Sequence, residues 1–235
     1  MQLRAALGLV VLAALGAGPA SAHCRLALAL GFDVSRSVDA RAYALQAEGL
    51  QAALADAQIR AAILDLPGHV ELAVFEWSGR WHQQVVAGWT SLRDAADIDA
   101  LATQLRGQPR TRDDQQTAVG QALEFGARLL LARPDCAERV LDIAGDGRNN
   151  DGPSPAQVYA RRNFGDIVVN GLAIEGLEAD IATHYREQVI RGPGAFVEIA
   201  ASPEDIADAL RRKLLRELEP GAFAAHRAAD VYSAY

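Results

Sequence analysis

Residues 26–37 read LALALGFDVSRS. The first seven are apolar or glycine without a polar break, the pattern of a strand covered on both faces rather than one alternating between core and water. The run then stops at an aspartate and sets oxygen-bearing side chains at alternate positions, Asp33, Ser35 and Ser37. Ligands of doubly wound sheets bind beyond the carboxyl ends of strands, so this strand end is where a site belongs.

Outward from that stretch, strand-like and helix-like segments alternate. Strand patterns fall at residues 25–32, 70–77, 82–88, 139–144, 167–174 and 195–199. Helical patterns fall at 39–57, 95–105, 118–131, 155–162, 180–189 and 203–218. Such alternation predicts an α/β, doubly wound, mostly parallel six-stranded sheet, Rossmann-like, with right-handed crossovers and helices on both faces. The exception is FEWSGRWHQQVVAGW at 75–89, where only residues 78–81 separate two strand patterns. That is a hairpin, so one edge strand runs antiparallel. Trp77, Trp81 and Trp89 gather there; edge packing is the first reading, and a partner surface at Trp77 and Trp81 is the other. In SPEDIADAL, at 202–210, a serine at the N-cap, a proline at the first helical position and early acids start the last helix.

The chain opens MQLRAALGLVVLAALGAGPASA, with an early Arg4, an apolar stretch and small residues at Ala20 and Ala22. We read residues 1–22 as a secretory signal peptide, since Gly16, Gly18 and Pro19 break the helix short of membrane-spanning length. A domain over 23–220 and a tail over 221–235 without clear periodicity follow, in a periplasmic or secreted protein. Twenty-three basic against 30 acidic residues give a net charge of −7, which argues against nucleic acid and anionic membranes as partners. Lys213 is the only lysine. The two cysteines, Cys24 and Cys136, lie nine and ten residues ahead of Asp33 and Asp146. If the two strands are parallel neighbours, both cysteines sit at one end of the sheet, and a disulfide between them suits an oxidising compartment; two thiols are the alternative.

If the chain builds outward from the first strand through the hairpin and then crosses over, the strand RVLDIAG at 139–145 flanks the reversal of strand order. Asp33 and Asp146 then face each other across the crevice. Thr117, in TAVGQAL at 117–123, opens a helix after a polar loop and adds a hydroxyl. Carboxylates with several hydroxyls form an all-oxygen set, suited to magnesium first, with manganese or calcium as alternatives, and not to zinc or copper. Each fragment has a plainer reading, as helix caps for Asp33 and its serines and as turn residues for Asp146, Asn149, Asn150, Asp151 and Gly152. Their conjunction at strand ends is what favours a site.

DVSRS, TAVGQAL and GDG, in this order, resemble the three parts of the metal-ion-dependent adhesion site of von Willebrand factor type A domains. The likeness covers nearly the whole chain after the leader. It implies metal contact from Ser35, Ser37 and Thr117, with Asp33 and Asp146 coordinating directly or through water. GDGRNNDG with the leader is similar to bacterial exported proteins of this class, a domain of unknown function. The resemblance implies a non-catalytic module that engages an acidic side chain of a protein partner through the cation. The alternative is a metal-dependent phosphoryl-transfer or hydrolytic enzyme using Asp33, although Ser35 stands where the aspartyl-phosphate pattern wants a second carboxylate, and no G-x-S-x-G elbow is present. A copper site at His23 lacks a partner at paired spacing among His69, His82, His184 and His226.

Overall fold

A computed structural model describes residues 23–219, apart from 113, 177 and 179. The expected leader at 1–22 and tail at 221–235 lie outside the described residues. The elements run β1 (Cys24–Asp33), α1 (Ala40–Ala55), α2 (Ala57–Leu64), β2 (His69–Trp77), β3 (Gln83–Leu92), α3 (Ala95–Leu105), α4 (Val119–Leu131) and β4 (Glu138–Gly145). They continue through α5 (Pro155–Arg161), β5 (Val168–Ile174), α6 (Ile181–His184), a π-helical turn (Tyr185–Val189), β6 (Val197–Ala200), a 3-10 turn (Pro203–Asp205) and α7 (Ile206–Leu218).

One six-stranded sheet has the order β3-β2-β1-β4-β5-β6. Only the β2–β3 pair is antiparallel; it is the hairpin read from the sequence. β1 is buried almost throughout because helices cover both faces, and its alternating side chains divide between two cores. Leu26, Leu28, Leu30 and Phe32 pack with residues of α1, α3 and α7, whereas Ala27 and Ala29 pack with α4. Small residues on the second face admit the Phe75 ring, which a methyl on Gly31 would overlap.

The chain leaves β1 toward β2 and later crosses back to β4 on its other side, so the strand order reverses between β1 and β4. Phe32 pairs with Ala144 and Asp33 with Trp77, which sets the ends of β1, β2 and β4 level. At the opposite end Cys24 and Cys136 form the disulfide, beside a hydrogen bond from the Ala137 amide to the Cys24 carbonyl. A reversal inside the sheet therefore carries the site end, and a covalent link fastens the other.

Several local expectations are corrected. The helix expected over 39–57 ends at Ala55, because extended Asp56 turns the chain and caps α2, its carboxylate accepting from the Gln58 and Ile59 amides. Ser202 does not cap the last helix; its hydroxyl donates to the Asp205 carboxylate and Pro203 begins a 3-10 turn. The helix expected at 180–189 follows a left-handed Asp180 and widens into the π-helical turn. Trp77 contributes nothing to a partner surface, being fully buried in the α4-side core, whereas Trp81 at the hairpin tip is 91% exposed. No helix among the described residues is long and apolar enough to cross a membrane.

The inner face of α7 is not purely apolar. Lys213, fully buried, pairs with Glu217 one turn on and with Asp142 of β4 at 3.0 Å. Asn170 on β5, level with Asp142, donates to Glu217 at 2.8 Å and accepts from the Phe196 amide. Burial pushes the Asp142 carboxyl up to about 7, with Lys213 pulling it down and Glu217 pushing it up.

Candidate metal centre

The site begins where β1 stops. Asp33 is fully buried, and its Oδ1 accepts the Ser35 amide at 2.7 Å, which folds the chain back on itself. Val34 donates to the Trp77 carbonyl, Arg36 to the Gln115 carbonyl, and Val38 to the Ser35 carbonyl. Arg110 reaches across from the loop before α4, its guanidinium donating to the Val34 and Ser35 carbonyls at 2.8 and 2.7 Å. Asp39 then caps α1 by accepting from Ala42. The turn that carries Ser35 and Ser37 is thus held from three directions.

Two other loops close on it. The Thr117 amide donates to Asn150 Oδ1, and the Thr117 carbonyl accepts from the Asn150 and Asp151 amides. Asn149 Oδ1 accepts from Gly120 in the first turn of α4. Asp151 also accepts from the backbone and guanidinium of Arg80, which moors the hairpin tip to the same loop. Ser78 accepts from the Ala118 amide, completing the frame.

Within this frame all five residues expected from the sequence converge. Thr117 Oγ1 donates to Ser35 Oγ at 3.1 Å, Ser35 and Ser37 hydroxyls lie 3.1 Å apart, and Ser37 Oγ donates to Asp146 Oδ1 at 2.8 Å. Asp33 Oδ2 is buried without a hydrogen-bond partner among the described residues. Burial, and next the charge of Asp146, push the Asp33 carboxyl up to about 8 against the Ser35 amide and Arg110. Asp146 is likewise raised, chiefly by burial, while the Ser37 hydroxyl opposes. Two carboxylates held together away from water favour one charge less than they carry ionised, unless a cation joins them.

Tyr185, missed by the sequence reading, closes the floor. A Cβ on Gly145 would lie 2.6 Å from the Tyr185 hydroxyl and 3.1 Å from Asp33 Oδ2, so only glycine lets these groups pack at the end of β4. That hydroxyl is also buried without a partner among the described residues, and its pKa is raised by burial and by Asp33. The residue set fits a hard divalent cation, with two carboxylates, three hydroxyls and an unpartnered carboxylate oxygen. Among the described residues no three His, Cys, Asp or Glu side chains gather as a metal-binding group, so any cation would rest on hydroxyls as well as carboxylates.

The site opens into a polar cleft of about 410 Å³, lined by Arg36, Ser37, Gln115, Thr117, Asn150 and Glu178 among others. Ser37 and Asp146 also line a neighbouring hollow of about 250 Å³ between α1 and the end of β5. Arg110, Tyr185 and Glu178 carry no local sequence motif; only the sheet order brings them here.

The profile of a family described as "Protein of unknown function (DUF1194)" matches residues 23–222. The chain belongs to the DUF1194 family. No curated protein matches its sequence. Among solved structures, the DUF1194 chain is similar to a von Willebrand factor type A protein from Catenulispora acidiphila, at 15% identity and TM-score 0.60, covering 83% of this chain and 43% of that one. The pilus adhesin SpaC of Lactobacillus rhamnosus GG, in its open conformation, matches at 14% identity and TM-score 0.58 over 83% of this chain and 30% of that one. Proximal thread matrix protein 1 from the mussel byssus, in a form with a zinc-occupied MIDAS motif, matches at 18% identity and TM-score 0.56 over 85% and 47%. The DUF1194 chain spans less than half the length of these relatives. Its fold is that of a von Willebrand factor type A domain.

Proposed function

We propose that this protein is an exported, non-catalytic binding module whose Asp33, Ser35, Ser37, Thr117 and Asp146 hold a divalent cation. Through the cation it engages an acidic side chain of a protein partner. The observation that carries this reading is that Ser35, Ser37, Thr117 and Asp146, from three loops, are joined hydroxyl to hydroxyl to carboxylate beside Asp33, whose buried Oδ2 has no hydrogen-bond partner among the described residues. Bound there, the cation supplies positive charge to the buried carboxylates and a point of attachment for an anion. The all-oxygen donors suit magnesium, manganese or calcium, of which we take magnesium as the first to test. The mussel protein with zinc in its MIDAS motif supports a divalent cation at this place in the fold.

The three hydroxyls bond one another and Asp146, with no histidine or lysine among their described partners, a chain that supports a ligand set over a serine-histidine arrangement. A family match that starts at residue 23 and the disulfide both support export through an oxidising compartment. Trp81, exposed on a hairpin tip that Arg80 and Asp151 moor to the site, offers a second contact for the partner.

Calorimetric titration of the chelator-treated protein with magnesium, manganese and calcium, beside Asp33→Ala and Asp146→Ala, tests this reading. Saturable binding by the wild type, lost in both variants, is expected. A folded wild type that takes up none of the three ions would leave these residues as caps and turns.

A further inference from the structure

Around the proposed metal centre the arginines are almost all committed. Arg110 donates to the Val34 and Ser35 carbonyls, Arg80 is held by Asp151, Arg112 by Asp114, Arg148 by Glu178 and Arg41 by Glu204. Arg36 differs. It stands between the two serines of DVSRS, is exposed, and lines the polar cleft beside Ser37 and Thr117. Its backbone amide is fixed to Gln115, and its guanidinium has no partner among the described residues.

We propose that Arg36 is a specificity-determining residue of the cleft: together with the cation it clamps the carboxylate of the partner's acidic side chain. This rests on the metal-dependent reading above. A guanidinium offers a planar fork that matches a carboxylate, and Arg36 is rooted within one residue of two of the proposed metal ligands. The rest of the lining decides the charge of the guest. Gln115, Gln116, Asn150, Thr117 and Ser37 are neutral, and Glu178 is already paired with Arg148, which leaves Arg36 as the uncommitted charge of the lining. One free guanidinium matches the single charge of a carboxylate, whereas the second charge of a phosphate would meet Glu178.

The test uses the purified protein saturated with magnesium, three acetylated and amidated tripeptides (Ala-Glu-Ala, Ala-Gln-Ala and Ala-phosphoserine-Ala), and the variants Arg36→Gln and Arg36→Lys. Peptide binding is followed by NMR titration, and magnesium binding separately by calorimetry. The glutamyl peptide is expected to bind the wild type only with magnesium present and to be preferred over the other two. Arg36→Gln should weaken it about tenfold or more, and Arg36→Lys, which keeps the charge and loses the fork, should fall between. Magnesium affinity should be unchanged in both variants, because Arg36 lies outside the proposed ligand set. Equal glutamyl affinity in the wild type and Arg36→Gln, tighter binding of the phosphopeptide, or no glutamyl binding by the magnesium-loaded wild type would each overturn the clamp. A wild type that takes up no magnesium at all would overturn the metal reading, and the clamp with it.

Discussion

Replacing Lys213 by methionine removes the only positive charge from a fully buried cluster that holds two carboxylates, Asp142 and Glu217. Methionine keeps the length and apolar stem, so the cavity term is small and the loss is electrostatic. Breaking a buried ion pair from one side costs about 3–5 kcal/mol, because the remaining charge stays buried without compensation. For a domain of this size that corresponds to roughly 6–20 °C in Tm, at about 2–4 °C per kcal/mol. The loss should also depend on pH. Asp142 titrates at about 7 in the folded protein against an ordinary 3.8, so the native state binds more protons than the unfolded chain between those values. Its contribution is therefore fully present below about 3.8 and is lost as pH rises through about 7. Without the ammonium that pulls Asp142 down, the window extends upward. Urea denaturation of Lys213→Met and wild type at pH 5 and pH 8 should show the larger gap at pH 8. Adding Asp142→Asn and Glu217→Gln to Lys213→Met should recover most of it, since a charge-free cluster strands nothing. A gap equal at both pH values, or one under about 1 kcal/mol at pH 8, would refute the electrostatic account.

Cys24→Ser with Cys136→Ser should lower stability by about 4 kcal/mol through the 112-residue separation it releases, and leave magnesium affinity intact because the bond lies at the far end of the sheet; parallel denaturation and calorimetry check both halves. Gly120→Ala should abolish metal binding more than it lowers Tm, since its methyl would run into the Pro153 carbonyl and push apart the loops that carry Thr117 and Asp146; calorimetry against thermal melts reads the difference. In chelator the wild type should lose stability as pH rises from about 4 to about 8, because Asp33, at about 8, holds its proton in the folded state far longer than at its ordinary 3.8. Saturating magnesium should flatten that slope, and chemical denaturation across the range with and without the ion measures it.

Where the short motifs of the candidate site fall in the fold could be read from the sequence. Asp33 with its serines, Thr117 and Asp146 each sit at an element boundary where a strand pattern stops or a helix pattern starts, and sheet topology alone brings those ends together. Arg110 and Tyr185 could not be read in this way, since each reaches the site from a separate element with no local pattern to mark it. Trp77 and Trp81 look alike in the sequence, yet one residue ends a strand facing α4 and the other caps the turn. The break between α1 and α2 was hidden because Asp56 interrupts no apolar period and acts only through its cap. The buried ions of α7 were concealed for the opposite reason. Lysine and glutamate four residues apart read as a solvated pair on any helix, and only Asp142 on the facing strand reveals that they point inward.

That inward-facing lysine has a practical consequence. It is the single lysine of the sequence and its Nζ is sealed under α7, so acylating reagents find no exposed lysine amine on the folded domain. Ordinary lysine coupling therefore leaves the folded domain unmodified, and a dye or sensor surface placed through an introduced lysine would sit at one chosen point, with the cleft left open to the solution.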